Sequence, residues 1–577
     1  MGRSLNATAT SGALTVQAFV GDGCTLLTFD VKQGATENFA GFAVKRSTEG
    51  GQSEYLGNLL NFSDQLTQTS TDDEVSQAFT PSNQAPFQKY RWLDFPNAVN
   101  SGVFTYDVET MFFDPDESHL RVGDTVNLSV TLGSRAGTNF HVGFTRGYMS
   151  SQAYARDFKN AAFRPATGPY LFPTAAYEKQ WAWLGYHARE MLYGFLEAAK
   201  DPGVGSIDAF VYDVDEPNFV TSLVALSQTK PLRVILDDSE EKEKGKSEPV
   251  PKPDRANFAQ ALKAGGGKVD ILRTHFKRFA HDKVLILRDS SGKASQVLCG
   301  SANFSIRGLY VQGNSVIVID DPDVAGAYEQ AFTDAWQSPE TFSSQPIASN
   351  WYNFRNKPEL PDFSVSFAPH KNGEAALATA ETAVSAAEKV VVFALMSPGG
   401  GNLIVDLEKL ASNDKVFTFG VLQTEAFATQ LMQGGAKSAG GKVQNEISSF
   451  TPLATVVPKP FFKEFSGGMG QVIHHKFVVV DFNGADPVVF CGSSNLTSGG
   501  EAANGDNLLA IRDREIATLY AIEGIRLADH YSFRDKLKSA TKAEPMSLQG
   551  PGETPAWYAD YYVEGTPKYR SRVALIQ

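Results

Sequence analysis

The sequence predicts an α/β protein of two pseudo-symmetric lobes, each a mixed sheet flanked by helices, behind an N-terminal all-β sandwich. Three observations carry that reading. A histidine–lysine block followed by Gly-Ser-x-Asn occurs twice: His281-Asp282-Lys283 with Gly300-Ser301-Ala302-Asn303, and His474-His475-Lys476 with Gly492-Ser493-Ser494-Asn495. Around both blocks apolar strands alternate with helical stretches, the pattern of a sheet covered on both faces. Residues 1–150 instead hold short alternating runs broken by Gly, Asn and Asp.

In chain order, the runs ALTVQAFV, CTLLTFDV, GFAVKRS, FQKYRWLDF, FTYDVETMFF, DTVNLSVTL and FHVGFTRGY read as the strands of a sandwich over residues 1–150. Trp92 reads as a core aromatic, and the domain as a packing or positioning unit more than a binding one. Residues 149–176 read as a connector, with Thr174 as N-cap of a helix running to about Ala199. That helix carries Trp181, Leu184, Ala188, Leu192 and Phe195 on one stripe.

The first lobe is expected over residues 165–350. It holds strand Ile207–Tyr212, helix 218–228, strand Leu232–Leu236, an excursion, the first motif, strand VIVID and a helix from Val324. The second is expected over 351–577, with helix 373–388, strand Val390–Leu395, helix 403–411, strand Val416–Leu422, a second excursion, HHKFVVVD, GSSN, strand LLAI and a helix from about Arg514. Residues 238–256 are charged and contain Pro, which predicts a solvated loop. Residues 433–470 carry Lys459, Phe461, Phe462, Lys463 and Phe465, either a lid touching a membrane surface or a loop tucked onto the lobe. The aromatic tail PAWYADYYVEGTPKYRSRVALI is expected to pack across the second lobe.

Residue chemistry narrows the function. In an extended H-x-K the first and third side chains share a face. His281 therefore goes with Lys283 and His474 with Lys476, while Asp282 and His475 point the other way. Each GSxN follows an apolar run, which places its Ser and Asn at a strand end near its H-x-K. If the copies face each other, two His, two Lys and two Asn converge on one cationic, donor-rich pocket. Such a pocket suits a phosphate diester, whose transition state gathers charge on non-bridging oxygens. Lysine supplies charge, Asn and Ser oriented hydrogen bonds. One neutral imidazole can attack phosphorus while the other protonates the leaving oxygen. The scheme calls for no metal and no cofactor. Asp213, Asp215 and Glu216 offer a cation site or a polar strand end, and the glycine run at 399–402 an anion site or a turn. In each pair the second is the plainer reading.

Composition sets outer limits. Hydrophobic residues make up 42% and charged residues 20%, an ordinary globular balance. Net charge is −13, which argues against a broad nucleic-acid-binding surface while leaving room for a local basic cleft. Three cysteines cannot build a disulfide framework; Cys299 and Cys491 each precede a GS pair and read as buried strand residues. No secretory signal and no membrane-spanning run is visible, so a cytoplasmic or peripheral-membrane location is expected.

The two H-x-K/GSxN blocks, with Asp481 completing H-x-K-x4-D in the second, resemble the two HKD motifs of the phospholipase D superfamily. The run FAGFAVKRS with YLGNLLNF resembles a fibronectin type III domain. The first resemblance covers about residues 165–577. It implies a phosphodiesterase in which His281 forms a phosphohistidine and His474 serves as acid and then base. Lys283, Lys476, Asn303 and Asn495, with Ser301 and Ser493, would bind the phosphoryl group. It also implies that an acidic residue after each GSxN orients the other motif's histidine. Asp506 stands in that place for His281, and the amide Asn314 for His474. Asp481 would be structural; the first motif has Arg288 at that point, with Asp289 one step on. The substrate favoured is a glycerophospholipid at a membrane surface, hydrolysed to phosphatidic acid (lipid degradation) or transphosphatidylated with an alcohol. A nuclease and a non-catalytic phosphate- or membrane-binding module are the alternatives. One chain should suffice for the site.

Overall fold

The structure is a computed structural model that describes residues 6–63, 66–67, 79–96, 101–115, 119–133, 138–241, 250–396, 401–411, 415–423, 446–449, 461 and 472–576. The N-terminal region forms two antiparallel sheets of four strands. One pairs Asn6–Ser11, Leu14–Val20, Thr25–Val31 and Arg91–Asp94; the other pairs Leu120–Leu132, Gly102–Phe113, Phe39–Thr48 and Glu54–Tyr55. Alternate residues such as Val16, Leu27, Phe29, Phe42, Tyr106 and Val130 fill the core between the sheets. Trp92 is only half-buried and stacks on Phe87.

Each lobe is built on one mixed sheet. In the first the strand order is Phe140–Phe144, Ser315–Ile319, Ala294–Gly300, Val284–Asp289, Val204–Val211, Leu232–Asp237 and Val269–Thr274. In the second it is Tyr352–Phe354, Asp362–Ala368, Asp506–Arg512, Val488–Gly492, Lys476–Val480, Val390–Leu395, Phe417–Leu422 and Glu446–Ser449. Apart from the extra edge strand Tyr352–Phe354, the orders correspond strand for strand. The pairing directions correspond too: Val204–Val211 is parallel to Leu232–Asp237 and antiparallel to Val284–Asp289, as Val390–Leu395 is to Phe417–Leu422 and Lys476–Val480.

Strand residues sort cleanly by the pleat. Val284, Ile286, Val390, Val392 and Ala394 face one core shared by the two lobes, with helices Pro322–Gln337 and Arg514–Ser539. Leu285 and Leu287 face a second core under helix Glu178–Ala198, and Val391, Phe393 and Leu395 a third. Burial on both faces is why these strands read as unbroken apolar runs. The two long helices start alike, each capped by an aspartate, Asp321 and Asp513, whose carboxylate accepts first-turn N–H groups.

Several expectations are corrected. FHVGF does not belong to the sandwich; Phe140–Phe144 pairs with Ser315–Ile319 at the edge of the first lobe's sheet. Thr174 is not the N-cap of the helix that follows; Tyr177 holds that position, and the Thr174 hydroxyl donates to Asn218. The stretch 238–256 is not loop to its end, since helix Pro253–Gly265 begins within it, and its residues 242–249 lie outside the described residues; strand Val269–Thr274 follows that helix. The tail packs chiefly on the sandwich, where Trp557 and Tyr561 join its core and Trp557 donates to the Phe39 carbonyl at 3.0 Å. Only its last helix, Pro567–Leu575, reaches the second lobe, through Arg570 to the Val416 carbonyl at 2.7 Å. Of the second excursion, Phe461 is buried under Tyr148, Tyr154 and Phe163; Lys459, Phe462, Lys463 and Phe465 lie outside the described residues, as does most of the glycine run at 399–402.

Candidate active site

The two motifs meet at the seam between the lobes, and the backbone makes the join. The His281 N–H donates to the Gly505 carbonyl at 2.9 Å, and the Gly505 N–H to the Phe279 carbonyl at 2.8 Å. In the other half the His474 N–H donates to the Gly313 carbonyl at 3.3 Å, and the Gly313 N–H to the Val472 carbonyl at 2.8 Å. Each histidine thus sits in an extended segment just before its strand, tied to the turn that follows the opposite lobe's GSxN. The glycines opening those blocks are required by the backbone. Gly300 (φ +139°) and Gly492 (φ +143°) lie where a Cβ would come 2.4 Å from the carbonyl oxygens of Ser315 and Asn507.

Side chains repeat the exchange. His281 Nδ1 contacts Asp506 Oδ1 at 2.7 Å, and His474 Nδ1 contacts Asn314 Oδ1 at 2.8 Å. The Asn314 amide has one consistent orientation, because its oxygen also accepts from Ser301 Oγ at 2.9 Å and its nitrogen donates to the Gly308 carbonyl at 2.8 Å. Both imidazoles therefore donate from Nδ1, which leaves the lone pair on Nε2. Lys476 donates to the His474 carbonyl at 2.7 Å, and Lys283 to that of His281. All four side chains are buried: Lys283 is 1% exposed and Lys476 2%.

Burial, followed by the charges of Lys283 and Lys476, drives the pKa of His281 well below the ordinary imidazole value, and the same causes act on His474. Both rings are neutral at neutral pH. His281 also acts on His474, as the two motifs' charges sense each other across the seam. Burial lowers Lys283 to about 8, with Asp506 opposing, and drives Lys476 well below its usual value with Lys283 adding to the effect. Burial raises Asp506 to about 6, moderated by Lys283. Asp282 rises to about 7, by burial and then by repulsion from Asp506.

The remaining motif residues separate into two groups. Ser493 and Asn507 both contact Asp282 Oδ1, at 3.3 and 2.7 Å, so the second lobe grips the residue between His281 and Lys283. His475, its counterpart, contacts Glu523 at 3.0 Å. The amide oxygens of Asn303 and Asn495 accept no hydrogen bond among the described residues. Asp481 closes the far end of its strand, where its carboxylate accepts the N–H groups of Glu388, Lys389 and Val390, each at 2.8 Å. Asp289 does not do the same for the first lobe; it caps its own hairpin through the N–H groups of Ser291 and Lys293. Arg288 instead pairs with Asp208 at 2.7 Å and with Glu329.

Other residues at the site lie outside the two repeated blocks. Tyr212 lays its ring against the His281 imidazole at 4.8 Å, with Lys283 Nζ 4.8 Å from its centroid. Asp213 holds Asn303 at 3.3 Å and is itself met by Lys252 at 3.1 Å and Arg255 at 3.4 Å. Asp215 and Glu216 are structural: Asp215 accepts the Ile306 N–H and Glu216 caps helix Pro217–Ser227.

Residues 195–336 and 434–523, one segment from each lobe, match the family described as cardiolipin synthase, PLD-like domain. No curated protein matches the sequence. Solved structures that align with the chain include a phosphatidylserine synthase from Haemophilus influenzae, at TM-score 0.41 and 12% identity over 59% of this chain and 84% of that one. A phospholipase D family member, Nuc, from Salmonella typhimurium aligns at TM-score 0.20 and 20% identity, over 25% of this chain and 86% of that one. A polyphosphate kinase from Porphyromonas gingivalis aligns at TM-score 0.39 and 12% identity over 62% of this chain, which spans 55% of the kinase. Among the described residues no helix is long and apolar enough to cross a membrane.

Proposed function

We propose, from the phospholipase D-like domain this chain carries, that His281 and His474 transfer a phosphodiester through a phosphohistidine, and that the substrate is a glycerophospholipid. One observation carries the mechanism: each imidazole is held at Nδ1 by the opposite lobe, with a lysine of its own motif beside it. His281 Nε2 attacks phosphorus and the bond to the leaving oxygen breaks. That oxygen takes a proton from His474. His474 then removes a proton from water or an alcohol, whose oxygen displaces His281 and breaks the P–N bond.

The depressed histidine pKa values fit this cycle. Neutral His281 is already a nucleophile. An anionic diester between Lys283 and Lys476 offsets the charges that hold His474 deprotonated, so the general acid acquires its proton when substrate arrives. Asp506 supports positive charge on His281 as the P–N bond forms, while Asn314 fixes the tautomer of His474 without a charge. Asn303 and Asn495, with the two lysines, bind non-bridging oxygens.

The net charge of −13 favours lipid over nucleic acid. The nuclease reading has one observation for it: Arg273, near the end of strand Val269–Thr274, and Lys277 and Arg278, on the loop from there into the first motif, stand exposed. Purified protein should release head group from phosphatidylcholine or phosphatidylethanolamine vesicles, and form a phosphatidyl-alcohol when a primary alcohol is present. Efficient cutting of single- or double-stranded DNA with vesicles untouched would transfer the assignment to the nuclease.

A further inference from the structure

A hydrogen-bond chain leads from the protein surface to the proposed nucleophile and crosses the lobe seam twice. Exposed Arg278, in the first lobe, donates from Nε to Asn504 Oδ1 at 2.7 Å. Asn504, in the second lobe and 1% exposed, donates from Nδ2 to Asp506 Oδ2 at 3.2 Å. The other oxygen of Asp506 meets His281 Nδ1, back in the first lobe, at 2.7 Å. The amide orientation follows from its neighbours. A flipped Asn504 would face the guanidinium with a donor and the carboxylate with an acceptor. Arg278 is fixed to the second lobe by its backbone too, its N–H donating to the Ala503 carbonyl at 2.9 Å.

We infer that Asn504 and Arg278 are positioning residues for the His281–Asp506 pair: Arg278 fixes the Asn504 amide, and the amide keeps Asp506 ionised and aimed at His281. The inference rests on the proposed two-histidine mechanism. A buried carboxylate that accepts from an imidazole needs donors for its remaining lone pairs, and Asn504 supplies one of them beside the Ser493 hydroxyl. The pseudo-symmetric half shares the serine, Ser301 on Asn314 as Ser493 on Asp506, but the second partner of Asn314 is the Gly308 carbonyl of its own lobe, whereas that of Asp506 is an amide held from across the seam by Arg278. The supported carboxylate is thus particular to His281.

The charged groups facing Asp506 are Lys283 and Lys476, which favour its ionised form as the Ser493 hydroxyl and the Asn504 amide do; Asp282 is raised in turn by the Asp506 charge, to about 7. Asp506 sits at about 6, and its ionised form is the active one, so activity should rise with pH through about 6. Removing a donor to the carboxylate raises that value further and moves the acid limb upward.

The test is the pH–rate profile of the full chain on bis(p-nitrophenyl) phosphate. Asn504→Ala should move the acid limb up by about half to one pH unit. It should also lower plateau kcat by roughly tenfold, with KM changed far less. Arg278→Ala should shift the limb the same way by less, Arg278→Lys should restore part of it, and the double variant should add little to Asn504→Ala because Arg278 acts through the amide. Asp282→Asn is the control that separates the two carboxyls: Asp282, at about 7, is still neutral where Asp506 titrates, so this variant should leave the limb where it is. An acid limb that stays in place in soluble Asn504→Ala or soluble Arg278→Ala overturns the inference, whatever the loss in kcat. If His281→Ala retains turnover, the two-histidine mechanism itself fails; if His281→Ala is inactive while the limb stays in place, only the relay fails.

Discussion

Replacing Asp506 with asparagine gives His281 the kind of partner His474 already has, and the structure fixes what that should cost. The native contact is charge-assisted, worth roughly 1–1.5 kcal/mol more than a neutral amide bond at this site. The amide also meets a conflict. With its oxygen toward His281, its NH2 faces Asn504 Nδ2, a donor against a donor, at roughly 1–3 kcal/mol. Turned over, it offers NH2 to His281 Nδ1, which shifts the proton to Nε2 and removes the attacking lone pair. Either way attack should lose about 2–4 kcal/mol, or about 30- to 10³-fold in kcat. An activated aryl diester is the right substrate, because its leaving group needs no proton and the rate then reports attack by His281. A second effect follows at Lys283. Asp506 is the charge that most opposes the depression of Lys283, now at about 8, so its removal lowers that value further. Lysine binds phosphate when protonated, and the alkaline loss of activity, native near pH 8, should move to lower pH. Asn314→Asp should leave aryl-diester attack nearly unchanged. A folded Asp506→Asn protein within about threefold of native kcat, with both pH limbs in place, would refute the assignment of Asp506.

Two further outcomes separate the mechanism from its rivals. Activity should persist in excess chelator, since Lys283, Lys476 and the two asparagines supply the positive field a metal would otherwise provide; turnover regained only on adding a divalent cation would count against this. His281→Ala should abolish both turnover and any trapped adduct, whereas His474→Ala should still form a phosphoramidate on His281 from an aryl diester, detectable by intact-mass measurement; an adduct on His474 in the His281 variant would reverse the roles.

Legibility in the sequence followed the reach of each interaction. The lobes and their central strands could be read because burial on both faces writes continuous apolar runs, as in Val390–Leu395 and Phe417–Leu422. Edge strands could not. Val269–Thr274 is half-exposed along its length and its pattern is correspondingly mixed. Phe140–Phe144 alternates like a sandwich strand, and what assigns it to the first lobe is a partner at Ser315–Ile319, far along the chain. The aromatic tail announces burial without naming the surface it covers. At the site, the contacts His281–Asp506 and His474–Asn314 join residues singled out by matching offsets from the two GSxN blocks. Asn504, Tyr212 and Asp213 carry no repeated spacing, and their places depend on how the lobes dock.

Arg288 is the departure in the first motif that gave a non-catalytic module its one argument, and its surroundings remove that argument. It lies about five residues beyond Lys283 on an extended strand, ~16 Å away at ~3.3 Å per residue, at the end remote from the histidines. There it does by side-chain pairing what Asp481 does by accepting backbone N–H groups: each ties the motif strand to its neighbour. Asp208, 1% exposed, sits between Arg288 and Arg233, with both Arg233 contacts within 2.8 Å. Arg288→Ala leaves Asp208 its bidentate partner and should cost only about 1–2 kcal/mol. Asp481→Ala should cost about 3 kcal/mol, because the buried Val390 N–H loses its side-chain acceptor and alanine must adopt φ +48°. Denaturant unfolding of the full chain should rank the variants in that order, with turnover per folded Arg288→Ala molecule within about twofold of native. A collapse of kcat in that variant with its unfolding midpoint unmoved would mean that Arg288 acts on the chemistry, and that the two strand ends are not equivalent ties.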